Sequence, residues 1–164
     1  TAYEVSACLV GSGLCIIDRC DMLKDQYGGS GSRRGIPFYT LDIASVIEFR
    51  HQPAQRPLYY IDVPMFYECD FAALSTGAAM APEIPAGAVV AIKQQDPAKI
   101  FPGESYLVVT RDFSGIRTIR SHADNPDKLR LVPKNLADYD EIVIDASEIK
   151  VLYLVKGIII SKTL

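Results

Sequence analysis

The sequence contains no tryptophan, two histidines and four cysteines, and these small numbers limit the sites that it can form. The cysteines are Cys8, Cys15, Cys20 and Cys69. Zinc sites need closely paired cysteines and histidines, whereas these cysteines are irregularly spaced and His51 and His122 each stand alone. We therefore predict no metal and no other cofactor, and we favour reduced, buried thiols over a disulfide.

Excess positive charge and a membrane-spanning segment are also absent from the sequence. The 17 lysines and arginines are outnumbered by 20 aspartates and glutamates, so the net charge is −3. Such a chain is a poor candidate for tight binding to a nucleic-acid backbone. The apolar stretch at 7–17 is broken by a Gly-Ser-Gly sequence, follows no basic segment and is too short to cross a bilayer. These observations predict a cytoplasmic protein with no membrane partner.

The 164 residues are enough for one domain with an additional arm. Residues 28–35, Gly-Gly-Ser-Gly-Ser-Arg-Arg-Gly, have the composition of a flexible linker, so we predict an N-terminal arm and linker at 1–35 and a folded domain at 36–164. Residues 1–27 fit either a helix or two short strands. Because the chain opens at Thr1 without an initiator methionine, we expect either a fragment, with the arm as the tail of an upstream DNA-binding domain, or a stand-alone protein.

Beyond the linker, stretches rich in valine, isoleucine, tyrosine and phenylalanine alternate with segments containing proline, glycine, aspartate and asparagine. The apolar stretches span 36–49, 57–63, 70–75, 87–93, 104–111, 115–120, 128–132, 141–144 and 150–160. No long amphipathic helical segment separates them. This pattern predicts a mainly β domain with mostly antiparallel strands. The predicted core positions near the C-terminus are Ile142, Ile144, Ile149, Val151 and Leu152.

Residues 77–84 carry the clearest motif, Gly-Ala-Ala-Met-Ala-Pro-Glu-Ile, between two predicted strands. This segment resembles the Gly-Asp-Ser-Met-x-Pro-x-Ile motif of the LexA-like S24 peptidases, which include the UmuD proteins and the C-terminal domains of many phage repressors. Later segments resemble the family in the same order, at 102–109, 124–126, 131–135 and 153–159. The resemblance covers about residues 36–164. It implies a partly barrel-like arrangement of antiparallel sheets with few short helices.

The residues that give this family its Ser-Lys self-cleavage activity are replaced. Ala79 stands at the position of the nucleophilic serine. The lysine base corresponds to Ile119, or to Arg120 if the register slips by one residue, and neither side chain takes a proton from serine. The family's scissile Ala-Gly or Cys-Gly pair corresponds to a cleavage loop around Ala44 and Ser45, which contains no glycine. The resemblance therefore predicts a catalytically degenerate domain.

Two classes of function remain open. We favour a dimerisation and regulatory domain of a LexA- or phage-repressor-like transcription regulator, which would reach operator DNA only through an upstream domain. The alternative is a self-processing S24-type peptidase with relocated catalytic residues. A sensor for an unidentified small-molecule effector, in the cleft around Ala79 and Met80, is a weaker third hypothesis. Further polar candidates, each more simply explained as a turn, strand-end or surface residue, are Ser75, Thr76, Ser105, Lys93, Lys99, Asp138, Asp140, Glu141, Arg33 and Arg34.

The last predicted strand is apolar on both faces. Residues 150–160 read Lys-Val-Leu-Tyr-Leu-Val-Lys-Gly-Ile-Ile-Ile, and a strand of this kind is normally covered on both faces. The family resemblance implies that the closing strand pairs across the two-fold axis of a homodimer, where the interface is self-complementary. We therefore predict Leu154, Ile158 and Ile159 at a dimer interface.

Overall fold

The computed structural model describes residues 35–49 and 56–162, which form nine β-strands, one α-helix and two short 3-10 helices. The strands are β1 (Ile36–Asp42), β2 (Tyr59–Ile61), β3 (Phe71–Ser75), β4 (Ala88–Gln95), β5 (Ser105–Val109), β6 (Ser114–Ser121), β7 (Lys128–Val132), β8 (Ile142–Asp145) and β9 (Val151–Ile159). Helix α1 spans Ile43–Phe49, and the 3-10 helices span Pro64–Phe66 and Ala146–Glu148. Within the described ranges, no helix is long and apolar enough to cross a membrane.

All nine strands belong to one sheet, in the order β2-β1-β3-β4-β9-β5-β6-β7-β8. Strands β1 and β3 are parallel, and every other neighbouring pair is antiparallel. The strands lie in a compact unit that begins at Gly35. The predicted arm at 1–35 falls almost wholly outside the described residues, so it stays a prediction.

The predicted mainly β fold is confirmed, because each of the nine apolar stretches overlaps one strand. The prediction of a strand was wrong for the second half of the stretch 36–49, where the chain forms α1 instead of continuing β1. The carboxylate of Asp42 explains this change. Its Oδ2 accepts the backbone N–H of Ala44 at 3.1 Å, and aspartate is a favoured residue at the start of a helix.

Buried side chains form separate clusters along this long sheet. The first cluster lies around α1, β3 and β4 and includes Phe71 and Ile84, while the second lies around β5 to β8 and includes Tyr106 and Ile119. A third, smaller cluster contains Phe66 beside β1 and β3. The predicted core positions near the C-terminus are confirmed as buried or partly buried against these clusters: Ile142, Ile144, Ile149, Val151 and Leu152.

Strand β9 lies inside the sheet. Residues 151–154 pair with β5 on one edge, and residues 152–159 pair with β4 on the other, with an irregularity near Gly157. Between Val155 and Ile159, no described strand pairs with the edge that faces the β5 side. The strand that connects the two halves of the sheet therefore also has a half-open edge.

Candidate functional site

The loop between β3 and β4 holds Ala79 and Met80 in fixed positions. Ile84 donates its backbone N–H to the carbonyl of Met80 at 2.9 Å, and Gly87 donates to the carbonyl of Ser75 at 2.7 Å. Gly87 has a φ of +87°, a conformation that favours glycine. The side chains of Met80 and Ile84 are buried in the first cluster, and their packing anchors the loop to the core.

A second segment, which follows β7, is hydrogen-bonded to this loop. The carbonyl of Ala79 accepts the backbone N–H groups of both Lys134 and Asn135, each at 3.0 Å. The side-chain amide of Asn135 donates to Asp138 at 3.0 Å and to the carbonyl of Ala78 at 3.5 Å. Two distant parts of the sequence therefore meet at Ala79, and its backbone carbonyl has no free lone pair for a ligand.

Ala79 lies in the wall of a cleft of about 250 Å³. The remaining walls come from the start of α1, the end of β3, the first half of β6 and the segment after β7. The lining residues are Asp42, Ile43, Ala44, Ser75, Thr76, Gly77, Ala79, Met80, Ser114, Gly115, Ile116, Arg117 and Tyr139. The lining thus combines apolar side chains, hydroxyl groups, one arginine and one aspartate.

Arg117 brings a partly desolvated positive charge to this cleft. Its Cζ lies 5.1 Å from the ring centroid of Phe113 and 5.7 Å from that of Tyr139. Its Nη1 donates to the carbonyl of Ile116 at 2.7 Å, whereas Nε is buried and has no acceptor among the described residues. Burial lowers the pKa of the guanidinium, and Tyr139 acts in the opposite direction. Because a guanidinium ordinarily titrates above about pH 12, Arg117 remains a cation.

Asp42 connects two of the segments that line the cleft. Its Oδ1 accepts both the backbone N–H of Thr76 at 3.1 Å and the Thr76 hydroxyl at 2.6 Å. Because its Oδ2 accepts the N–H of Ala44, one carboxylate fixes both the start of α1 and the loop after β3. The hydroxyl of Thr76 is therefore held as a donor to Asp42.

A comparison with family models identifies the domain that carries this cleft. The Peptidase S24-like model matches residues 47–159, which is more than half of the chain. The chain belongs to the Peptidase S24-like family. No curated protein matches it.

The predicted base positions of this S24-like domain lie outside the cleft. Ile119 is fully buried in the second cluster, and Arg120 is exposed on β6. The long polar side chain that β6 contributes to the cleft is Arg117, two residues before Ile119. The sequence analysis missed Arg117, because the motif alone does not fix which residue of β6 lines the cleft with Ala79.

The segment predicted as a cleavage loop is helical. Ala44 lines the cleft beside Ala79, and both Ala44 and Ser45 lie in the first turn of α1. The expectation of a loop here was wrong, since Asp42 begins a helix at this point. The structure therefore brings together Ala79 and Ala44, and adds Asp42 and Arg117.

The other polar candidates divide between the cleft and the surface. Ser75 and Thr76 line the cleft, while Ser105 pairs with Thr118 in the sheet. Lys93 contacts Glu68 at 3.2 Å, and this contact lowers the pKa of the Glu68 carboxyl. The remaining candidates serve as turn or surface partners: Lys99 in a turn with Asp96, Asp138 with Asn135, Glu141 with Arg130, and Asp140 exposed. Arg33 and Arg34 lie outside the described residues.

Cys69 is a free, buried thiol, as predicted, and burial raises its pKa. Cys8, Cys15 and Cys20 lie outside the described residues. Among the residues that the structure describes, no three histidine, cysteine, aspartate or glutamate side chains are grouped as metal ligands.

The three predicted interface residues differ in exposure. Leu154 is partly buried against the second cluster, and Ile158 is partly buried against the first. Ile159 is 38% exposed and is followed by Ile160, which is 48% exposed. Apolar surface therefore concentrates at the end of β9, next to the half-open edge.

Proposed function

We propose that this chain is a non-cleaving S24-like domain that serves as the dimerisation and regulatory module of a LexA- or phage-repressor-like transcription regulator. The observation that carries this proposal is that one cleft is lined by a methyl group, that of Ala79, and by a guanidinium, that of Arg117. Acyl transfer by serine needs a hydroxyl and a neutral base next to it. Neither group is supplied by these two side chains.

The position of α1 also argues against self-cleavage. Residues near a scissile bond are normally presented to a peptidase in an extended form, because the attacking group must reach the carbonyl carbon. The chain around Ala44 and Ser45 is instead helical and is held by Asp42. Cutting there would first require the loss of α1.

The alternative of a relocated catalytic group has one supporting observation. Ser75 and Thr76 bring hydroxyl groups to the cleft, and Thr76 contacts a carboxylate. However, Asp42 accepts the backbone N–H of Thr76 as well as its hydroxyl, which is the pattern of a structural contact between two distant segments. We therefore favour the non-cleaving interpretation.

The half-open edge of β9 supports a homodimer. Unpaired strand edges are natural sites for pairing with another chain, and the exposed Ile159 and Ile160 add apolar surface there. A two-fold dimer would allow two upstream DNA-binding domains to occupy paired half-sites of an operator. Binding of operator DNA by these upstream domains is part of the proposal.

Cleavage and serine activation test the catalytic half of the proposal. We expect the wild-type protein and the Ala79→Ser variant to remain intact by mass spectrometry during long incubation at neutral and alkaline pH. Neither protein should be labelled by a fluorophosphonate, a reagent that reacts with activated serine. The double variant Ala79→Ser/Arg117→Lys supplies a hydroxyl and a titratable amine in the cleft, so it should be labelled at a rate that rises with pH.

The matched control is Ala79→Ser/Arg120→Lys, in which the new lysine replaces an exposed residue of β6 that does not line the cleft. It should remain unlabelled. Two stable fragments from the wild-type protein or from Ala79→Ser would contradict the proposal. If Thr76→Val then abolished the cutting, a relocated peptidase would be the correct function.

A further inference from the structure

Arg117 has unused hydrogen-bonding capacity. A guanidinium carries five N–H donors, and here one described acceptor, the carbonyl of Ile116, takes a bond from Nη1. The buried Nε has no acceptor among the described residues, and none of them forms an ion pair with Arg117. Because the buried Nε is out of reach of a ligand in the cleft, the donors left for one are the remaining N–H groups of Nη1 and Nη2.

The aromatic contacts hold the guanidinium without occupying its donors. The rings of Phe113 and Tyr139 lie within 6 Å of the Arg117 Cζ, at 5.1 Å and 5.7 Å. Contacts of this kind favour the cation through the faces of the rings, so the N–H groups at its edge stay available. The side chain is thereby presented to the cleft in a restricted orientation, which reduces the entropy that a ligand would have to overcome.

The rest of the cleft limits what could bind. Its volume of about 250 Å³ lies just below the range of about 300–1,000 Å³ that is typical of ligand pockets, which suits a small ligand. Ile43, Met80 and Ile116 supply apolar wall, and three hydroxyl residues, Ser75, Thr76 and Ser114, supply polar wall. Such a mixture fits a small organic group with one charged end.

We propose that the cleft binds a carboxylate group, paired with the Arg117 guanidinium and with the apolar body of its ligand against Ile43, Met80 and Ile116. The planar fork of arginine matches the two oxygens of a carboxylate. A phosphate dianion fits less well, because the Asp42 carboxylate lines the same cleft. This inference rests on one part of the proposed function, namely that the cleft does not cleave the chain.

The carboxylate could come from a free organic acid or from the C-terminus of a peptide, and titrations followed by ¹H–¹⁵N NMR distinguish these sources. The probes are benzoate and benzamide, the dipeptide acetyl-Gly-Ala as acid and as amide, and inorganic phosphate. We expect saturable shifts of the Thr76, Ala79 and Arg117 signals with one or both acids. The neutral amides should bind at least about tenfold more weakly, since they cannot form the charged pair.

The variant Arg117→Met removes the charge and should abolish the difference between acid and amide. Arg120→Met, at an exposed position of the same strand outside the cleft, is the matched control and should bind as the wild type does. Should Arg117→Met fail to fold, the comparison of acid with amide on the wild-type protein decides alone. The proposal would be overturned by equal binding of acids and amides, by tighter binding of phosphate, or by no saturable shift. A failed titration would overturn the binding of a carboxylate, whereas cleavage of the wild-type protein would overturn the proposed function, so the two outcomes can be told apart.

Discussion

Arg117 and Ile119 lie on the same strand in very different surroundings. Side chains two residues apart point to the same face of a strand, so both belong to one face of β6. Arg117 lies at the cleft beside Phe113 and Tyr139, whereas Ile119 is fully buried in the second cluster. A charge is therefore tolerated at one position and excluded at the other.

This difference predicts the effect of a lysine at Ile119. The substitution Ile119→Lys would bury an amine among apolar side chains, and we expect a loss of at least about 3 kcal/mol in the free energy of unfolding. Burial would lower the lysine pKa in the folded state, so the unfolded chain would bind more protons. The stability of the variant should consequently rise as the pH increases from neutral to alkaline. Urea titrations measure both effects.

The control is Arg120→Lys, which keeps a charge at an exposed position of the strand and should change stability by less than about 0.5 kcal/mol. Wild-type stability for Ile119→Lys would mean that position 119 is not a core position.

Gly157 on β9 is a second position where one residue determines the packing. A Cβ added there would lie 2.1 Å from Cε1 of Phe66, so Gly157→Ala should destabilise the protein by about 1–3 kcal/mol. The double variant Gly157→Ala/Phe66→Leu should lose less free energy of unfolding than the two single variants lose together, because the smaller side chain at position 66 relieves the overlap. Gly77→Ala, with nothing within 4 Å of the added atom, is the control. A neutral Gly157→Ala in thermal or urea unfolding would contradict this packing.

The sequence motif located one half of the candidate site and not the other. Residues 77–84 identified the loop that carries Ala79, because loop geometry depends on residues that are adjacent in sequence. Arg117 could not be identified in this way. Arg117 and Ile119 share a face, and which of them reaches the cleft depends on the hairpin between β5 and β6 and on the twist of the sheet. These features arise from contacts between distant parts of the chain.

At the level of elements, strands were predictable and α1 was not. Strands such as β7, at 128–132, are short apolar segments bounded by asparagine and proline, which mark their ends in the sequence. The stretch 36–49 has no such boundary, and short apolar segments fit strand and helix equally well. Asp42 was the available signal, since aspartate before a helical segment is a common N-terminal cap.

The dual role of Asp42 leads to a prediction about α1. Asp42→Ala would remove the acceptor for the Ala44 N–H and both bonds from Thr76, so we expect a loss of about 2 kcal/mol. Amide exchange at Ala44 and Thr76 should accelerate more than exchange in β7. Asp42→Asn retains one side-chain oxygen and should give a smaller loss. Unchanged exchange at both amides would show that the carboxylate does not hold these two segments.

At the level of the whole molecule, the sheet has two halves that meet at β9. Strands β2, β1, β3 and β4 lie on one side of β9, and β5 to β8 lie on the other. The two large clusters follow this division, and β9 contributes side chains to both of them. A change in the first half of β9 therefore affects the fold, while a change at its end affects mainly the surface.

This division provides a test of the proposed dimer through β9. Leu154 pairs with Tyr106 and packs against the second cluster, so Leu154→Glu should destabilise the domain by about 2 kcal/mol or more and alter its thermal unfolding. Ile159 is 38% exposed at the strand end, so Ile159→Glu should leave circular dichroism and stability nearly unchanged. At a two-fold interface the same substitution brings two like charges together, and it should therefore weaken the dimer by at least about tenfold.

Sedimentation equilibrium measures the masses directly. The wild-type protein at micromolar concentration should have twice the monomer mass of 18.0 kDa, and Ile159→Glu should shift toward the monomer. Lys162→Glu, a charge change on an exposed residue after β9, is the control for a general electrostatic effect and should shift the equilibrium less. A monomeric wild-type protein would exclude the dimer. If Ile159→Glu left the dimer intact, the interface would have to lie on another surface. A pair of carboxylates buried at the end of β9 would weaken a dimer formed there.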